Sequence, residues 1–222
     1  MRGCFGGPSF FIRLIMRTII YVDGFNFYYR ALKNTPYKWL DLKKLFESIL
    51  QSHNKIIQIK YFTALVSGKN DPDQPIRQKT YLNALAKYIP EISIYYGHFL
   101  SHIVRAPLAN PINGKKTVEI IKTEEKGSDV NIAVHMLNDA WLDEYDCAVV
   151  VSNDSDLAEA MKLIKIHHPT KVIGLLTPGD QYPSKELMQY AKFKAKIRTG
   201  PLSASQLPNP IPGTNIKKPF IW

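Results

Sequence analysis

One stretch near the start of the chain constrains the fold more than any other: Ile19-Ile20-Tyr21-Val22-Asp23-Gly24-Phe25-Asn26. Its apolar run is typical of a buried strand in a parallel sheet. The run ends at Asp23, which predicts a carboxylate at the carboxyl edge of the sheet, where ligands of open α/β sheets bind. Gly24 permits a sharp exit, and we expect Asn26 to open the next helix with its side chain turned back toward Asp23.

Strand and helix patterns alternate through the rest of the chain. Apolar or alternating runs predict further strands at 56–66, 92–97, 147–151 and 172–176. Because helical patterns separate them, right-handed crossovers predict an α/β fold with helices on both faces of a central parallel sheet of about five strands. Residues 98–121 break this alternation, and Asn113-Gly114 within them is a hairpin signal, so we expect a β excursion or mobile flap near the active edge.

Helix starts are marked by capping residues. Asp41 is a plausible cap for a helix whose apolar face includes Leu45 and Phe46. Asp71-Pro72 is a second expected start. In the helix that begins near Ser128, helical spacing predicts a sheet-facing side made of Val130, Ala133, Val134, Leu137 and Trp141. Aromatic residues crowd the helix after Asp23, where they either pack on the sheet or stack nucleobases.

Length and charge indicate one globular domain with basic ends. The chain has 222 residues and a net charge of +10, yet residues 16–190 hold 21 basic and 19 acidic residues. We therefore expect a domain at 16–190, an upstream extension or disordered segment at 1–15 that precedes a start at Met16, and a basic, Pro-rich tail at 191–222, extended or disordered. Such a tail suits a polyanionic partner or merely aids solubility.

Membrane and disulfide classes are disfavoured. No apolar run near the start is long enough to span a membrane, since Arg13 interrupts it. Cys4 and Cys147 are too few and too far apart for a disulfide scaffold or a zinc site. We therefore expect a cytoplasmic protein with no membrane partner, and a homo-oligomer is possible.

A second strand end repeats the pattern seen at Asp23. The run 147–151 leads directly into Ser152, Asn153, Asp154 and Asp156, and Asp129 lies in the first turn of the preceding helix. Each acid has a simple alternative role as a helix cap or dipole partner. If the two strands are neighbours, however, the carboxylates converge and repel one another unless a divalent cation neutralises them. Oxygen ligands favour Mg²⁺ or Mn²⁺, which can activate water and hold a phosphodiester.

Three segments together resemble a known family. Tyr21-Val22-Asp23-Gly24-Phe25-Asn26, Lys126-Gly127-Ser128-Asp129-Val130 and Val151-Ser152-Asn153-Asp154-Ser155-Asp156-Leu157 are similar to the signature segments of NYN domains. NYN domains are the branch of the PIN-like nuclease superfamily that includes the LabA-like proteins, and the resemblance places this chain there. The resemblance covers about residues 17–178, and it implies a PIN-like three-layer α/β/α fold with metal-dependent cleavage of RNA.

The resemblance also implies roles for individual residues. Asp23, Asp129, Asp154 and Asp156 correspond to the catalytic, metal-binding acids. Asn26, Ser152 and Asn153 are supporting polar residues, and Lys126 and Gly127 contact phosphate in this reading. Family members often carry another acid six residues after Asp129, where this chain has His135. His135 either supports the site or packs the helix.

Three functions remain open from the sequence. The first is a metal-dependent endoribonuclease acting on single-stranded RNA. The second is a non-catalytic RNA-binding or regulatory module, which the basic tail and the aromatic helix also suit. The third is a small-molecule enzyme, because some chains with this domain are described as NADH-dependent 6-hydroxy-3-succinoylpyridine hydroxylases. The sequence contains no Gly-x-Gly-x-x-Gly dinucleotide loop.

Overall fold

The computed structural model describes residues 15–69, 71–112 and 114–222. Within them the strands are β1 (Met16–Asp23), β2 (Asn54–Thr63), β3 (Ile92–Tyr96), β4 (His98–Ile112), β5 (Lys115–Lys126), β6 (Cys147–Val151), β7 (Val172–Pro178) and β8 (Phe193–Ile197). The helices are α1 (Gly24–Phe27), α2 (Leu42–Ile49), α3 (Gln74–Tyr88), α4 (Ser128–Trp141), α5 (Ala158–His167), α6 (Lys185–Met188) and α7 (Thr199–Ala204). A π-helical turn follows α1 at Tyr28–Leu32, and a 3₁₀ turn at Ser155–Leu157 precedes α5. The extension expected at 1–15 lies outside the described residues, except for Ile15.

The main sheet confirms the predicted α/β class. Its six strands in the described residues run parallel in the order β3-β2-β1-β6-β7-β8. The sheet therefore has six strands rather than about five. Successive strands are added outward from β1 on one side and from β6 on the other, so the strand order reverses between β1 and β6. In such folds the crevice at the carboxyl ends of these two strands is the expected ligand site.

Residues 19–22 of β1 form an unbroken apolar run because helices cover both faces of the strand. Ile20 and Val22 belong to a core shared with α1, α2, α3 and α7. Ile19 and Tyr21 belong to a second core shared with α4, α5 and α6. This is the predicted three-layer arrangement, and it explains why the run 19–22 does not alternate with polar residues. No helix of the described residues is long and apolar enough to cross a membrane.

The expected β excursion is a two-stranded antiparallel ribbon. Strands β4 and β5 pair from His98 opposite Lys126 outward, in a sheet of their own. Asn113, half of the predicted turn, lies outside the described residues. Gly114 has a φ of 74°, in the left-handed region that glycine adopts readily. The base of the ribbon joins the start of α4, so the ribbon begins beside the carboxyl edge of the main sheet.

The C-terminal segment differs from its expected extended or disordered state. Residues 193–197 form β8, and Leu202, Leu207 and Ile211 are buried against the main core. Two hydrogen bonds fix the segment on Trp39, whose carbonyl accepts from the Leu207 N–H at 2.9 Å and whose indole donates to the Pro208 carbonyl at 3.1 Å. The prolines interrupt regular structure here, but the apolar residues between them still find a buried surface.

Asp41 caps α2 as predicted, with its Oδ1 accepting from the Lys44 N–H at 3.0 Å. The predictions for the next two helices were wrong in detail. Helix α3 begins at Gln74 rather than at Asp71-Pro72, because Asp71 closes a turn before it. Helix α4 buries Ile132, Met136, Asp139 and Ala140, whereas Val130, Val134 and Trp141 of the predicted sheet-facing side are exposed.

Candidate active site

Two strand ends meet where the strand order reverses. Val22 of β1 lies opposite Val151 of β6 in the sheet register. The residues that follow each of them, Asp23 and Ser152, are therefore neighbours at the carboxyl edge. The Ser152 hydroxyl donates a hydrogen bond to Asp23 Oδ2 at 2.8 Å, so the two strand ends are joined directly.

Asp23 is a buried carboxylate with two hydrogen-bond donors. Besides Ser152, the backbone N–H of Asn26 donates to Asp23 Oδ1 at 2.9 Å, which makes Asp23 the cap of α1. Burial raises the pKa of Asp23 above its ordinary value, and the negative charges of Asp154 and Glu125 act in the same direction. The two hydrogen bonds oppose this shift because they stabilise the ionised form.

The side chain of Asn26 does not turn back toward Asp23, contrary to expectation. Its Oδ1 instead accepts a hydrogen bond from the Asn153 N–H at 3.2 Å. Asn153 in turn accepts from the Ser184 N–H at 2.7 Å and donates to the Tyr182 carbonyl at 3.0 Å. These two amides therefore tie the turn after β1 to the turn after β6 and to the segment before α6.

Asp154 and Asp156 lie in the turn that follows β6. The Asp154 N–H donates to Ser152 Oγ at 3.1 Å, and Asp154 Oδ1 accepts from the Asp156 N–H at 3.0 Å. Asp154 thus caps the 3₁₀ turn, which is the helix-cap role expected as the alternative to a site role. Its backbone N–H is also connected to Asp23 through the Ser152 hydroxyl. Asp156 is exposed at the rim.

Asp129 brings a carboxylate from the start of α4 to the same edge. Burial is the main cause that raises the pKa of Asp129 to about 6. The remaining causes are the negative charges of Asp23, Asp154, Glu125 and Asp156. The four acids singled out from the sequence therefore lie close enough together for the charges of Asp23, Asp154 and Asp156 to act on Asp129.

The sequence analysis missed one acid of this group, Glu125. It accepts hydrogen bonds from the N–H and the hydroxyl of Ser128, at 3.2 and 2.9 Å, and so holds the first turn of α4. Its charge raises the pKa of both Asp23 and Asp129. The sequence signal that could have identified Glu125 is its position directly before the Lys126-Gly127-Ser128-Asp129 segment. Gly127 makes the turn from ribbon to helix with a φ of 101°, which a side chain would strain.

The model of the NYN domain matches residues 17–195 of this chain. The chain belongs to the NYN domain family. A relative from Pseudomonas putida (strain DSM 28022 / S16), named 6-hydroxy-3-succinoylpyridine 3-monooxygenase HspA, is 36% identical over 93% of this chain and 74% of its own length. A crystal structure of a protein of unknown function from Vibrio parahaemolyticus RIMD 2210633 has the same fold, with a TM-score of 0.54 and 18% identity over 83% of this chain and 94% of that one. The LabA-like branch stays a prediction.

Lys126, carried over from the NYN signature, and His135, which departs from the family pattern, both have partners other than the four aspartates. Lys126 is exposed and pairs with Glu124 at 3.1 Å. His135 packs between rings instead, with its centroid 4.3 Å from that of Tyr95 and 5.5 Å from that of Phe62. Burial and the charge of Lys60 lower the pKa of His135, which favours its neutral form, and its ring contacts make it a packing residue. It does not replace the acid that other NYN chains often have there.

The acids of this NYN domain are near one another without forming a finished metal site. Across residues 15–69, 71–112 and 114–222, no three His, Cys, Asp or Glu side chains stand close enough to be a ready metal-binding group. The donor chemistry nevertheless fits a hard divalent cation, because the donors are all carboxylate oxygens that repel one another.

Proposed function

We propose that this protein is a metal-dependent endoribonuclease that hydrolyses phosphodiester bonds in single-stranded RNA. The observation that carries the proposal is that Ser152 joins Asp23 to the Asp154 N–H at the carboxyl edge, and that Asp129 lies close enough for their charges to act on it. Carboxylates that repel one another at a ligand-binding edge are suited to bind positive charge. The NYN family belongs to a nuclease-like superfamily, so membership of it supports the nuclease proposal.

Asp23, Asp129 and Asp154 would hold Mg²⁺ or Mn²⁺, with Asp156 at the rim. The ion would supply Lewis-acid activation of water and of the phosphodiester. The protein's own contribution is to fix Asp23. Its burial and its bonds to Ser152 and to the Asn26 N–H hold the carboxylate in one orientation, so it needs no further ordering to act as a ligand.

Lys126 contributes less to phosphate binding than its place in the NYN signature suggests. Its ammonium pairs with Glu124, which also pairs with Lys122 at 2.6 Å. A phosphate would have to displace these pairs before Lys126 could bind it. We therefore assign phosphate binding at this edge first to the metal and only second to Lys126.

The test combines metal binding and cleavage in matched variants. In wild-type protein, Mn²⁺ or Mg²⁺ should raise the melting temperature and support cleavage of a single-stranded RNA. Asp23→Asn and Asp154→Asn should each lose the metal-induced shift and lower the cleavage rate by about a hundredfold or more, since even changes beside a metal ligand cost 10–100-fold. Glu144→Gln is the control, because Glu144 is exposed before β6, at the opposite edge of the sheet. Full activity of a pure Asp23→Asn preparation would contradict the proposal.

The non-catalytic alternative predicts a different result from the same preparation. A binding module would retain RNA with a strong dependence on salt and release no cleaved product with any divalent metal. Such a result would leave the acids as a structural or regulatory feature and would replace the nuclease assignment.

A second candidate function is oxidation of a small aromatic acid. The specific observation in its favour is the 36% identity to the Pseudomonas putida protein named as a monooxygenase, over nearly the whole chain. NADH oxidation and oxygen uptake with 6-hydroxy-3-succinoylpyridine would be measured beside RNA cleavage. Turnover of the pyridine at a rate unaffected by Asp23→Asn, with no RNA cleavage, would favour this function over the nuclease.

A further inference from the structure

A cavity of about 500 Å³ lies beside the acidic edge, between α1, its π-helical turn and α3. It opens on the side of the sheet away from α4. Aromatic rings dominate its wall, namely those of Phe25, Tyr28, Tyr29, Tyr61, Tyr81 and Trp222. Its volume and its aromatic lining are typical of sites that enclose a small organic ligand.

The polar groups of this cavity carry excess positive charge. Arg77 and Lys38 both line it, and Arg77 pairs with Asp71. No carboxylate of the described part of the chain pairs with Lys38. Burial and the charges of Arg77 and Lys218 lower the pKa of Lys38, and Asp71, which also lines the cavity, is paired with Arg77 rather than with Lys38. An anionic group would relieve this repulsion, and the guanidinium of Arg77 suits a carboxylate or a phosphate.

The cavity borders the turn that follows Asp23 at the carboxyl edge of the sheet. Gly24, the next residue, lies in its wall against the ring of Tyr61. The charge of Asp23 contributes to a raised pKa of the Tyr61 hydroxyl, whose main cause is burial. A ligand in the cavity therefore lies beside the turn that follows Asp23, on the opposite face of the sheet from α4.

We propose that this cavity binds a planar aromatic ring that bears an anionic group. The ring packs among Tyr28, Tyr61 and Trp222, and the anion is received by Lys38 and Arg77. Two sources share this chemistry: a nucleotide of a nucleic acid chain and a small aromatic acid such as a pyridine carboxylate. The binding requires no metal and no turnover, so it stands independently of the proposed nuclease activity.

Titrations with paired probes test the site directly. Uridine 5′-monophosphate is compared with uridine, and pyridine-3-carboxylate with its neutral amide, by calorimetry and by the change in tryptophan fluorescence in the presence of chelator. The anionic member of at least one pair should bind about tenfold or more tightly than its neutral partner, because a hydrogen bond to a charged group is worth that much. Preference for the nucleotide indicates a nucleic acid subsite, and preference for the pyridine indicates a small-molecule site.

Substitutions then locate the anion. Lys38→Met should weaken binding of the preferred anion about tenfold without lowering the melting temperature, because it removes a cation that its neighbours repel. Arg77→Gln provides a second variant, and Lys79→Met on the exposed side of the same helix is the matched control. Equal binding of charged and neutral probes, no binding up to millimolar concentration, or unchanged affinity in both Lys38→Met and Arg77→Gln would overturn the proposal.

Discussion

Ser152 Oγ lies 2.8 Å from Asp23 Oδ2 and also accepts a hydrogen bond from the Asp154 N–H at 3.1 Å. One buried hydroxyl thus connects an acid at the end of β1 with an acid that follows β6. Because the hydroxyl donates to one group and accepts from the other, its two bonds fix the separation of the two strand ends. Ser152 is therefore a positioning residue for the candidate site.

Ser152→Ala should loosen this connection. Asp23 stays buried and loses one of its two donors, so we expect a loss of about 1–3 kcal/mol in the free energy of unfolding at neutral pH. The metal-induced rise in melting temperature should also shrink, because Asp23 is no longer held. Urea unfolding with and without Mn²⁺ measures both effects. Ser155→Ala, at an exposed serine of the same turn, serves as the control, and equal behaviour of the two variants would contradict the role assigned to Ser152.

Gly24→Ala should disturb the same edge from the other side. A Cβ at Gly24 would come within 2.6 Å of the Phe62 carbonyl oxygen and 2.9 Å of the Tyr61 ring. Backbone would have to move, so we expect a destabilisation of about 1–3 kcal/mol. Gly200→Ala is the matched control, because a Cβ there meets nothing within 4 Å. Thermal unfolding compares the two, and a neutral Gly24→Ala would show that the edge is more adaptable than its packing suggests.

The strand ends could be predicted because their signals are local. An apolar run that stops at Asp23 and another that stops at Ser152 mark two carboxyl ends of strands, and parallel strands place such ends at one edge. The acids that the NYN resemblance implies then lie near one another at that edge, whereas the Lys126 ammonium pairs with Glu124. A motif shows where Lys126 lies along the chain, but it does not show which group its ammonium binds, and here that group is the carboxylate of Glu124.

Two other features depend on partners distant in sequence. The buried side of α4 contains Asp139, which an apolar pattern assigns to solvent, yet Lys60 and Tyr21 each bind its carboxylate at 2.6 Å. Strand β8 was missed because lysines alternate with apolar residues in an apparent tail. It pairs with β7 because Gly174 has no side chain and leaves room for the ring of Phe193. Neither relationship is visible in a local window of sequence.

The buried ion pair itself gives a stability prediction. Lys60 and Asp139 are 6% and 4% exposed, and their charged atoms lie 2.6 Å apart. Asp139→Asn leaves the ammonium without a counter-charge, so we expect a loss of about 3–5 kcal/mol in urea unfolding. The double variant Lys60→Met with Asp139→Asn should recover much of this loss, because no buried charge remains and the amide still accepts from Tyr21.

An exposed pair provides the comparison. Arg105 and Glu119 on the ribbon are 70% and 65% exposed in their side chains, and Glu119→Gln should change stability by less than about 1 kcal/mol. A loss in Asp139→Asn no larger than this, or a double variant less stable than the single one, would show that Lys60 and Asp139 are not coupled as their geometry indicates.

The pH dependence of stability provides a final prediction, made for the metal-free protein in chelator. Burial and neighbouring acids raise the folded-state pKa of Asp129 from 3.8 to about 6. The folded protein therefore holds this proton more tightly than the unfolded chain does, and the contribution of Asp129 to stability falls as the pH rises through that interval. Asp129→Asn should accordingly melt at a higher temperature than wild type at pH 7.5, and the difference in melting temperature should vanish near pH 4.

Asp143→Asn is the control and should show the opposite sign, melting at a lower temperature than wild type at pH 7.5. Lys171 and Arg17 lower the pKa of Asp143, so its ionised form stabilises the fold above that pKa. Saturating Mn²⁺ should reverse the order of wild type and Asp129→Asn at pH 7.5. An Asp129→Asn protein that is less stable than wild type without metal would mean that the helix start, rather than the acidic group, determines the role of this residue.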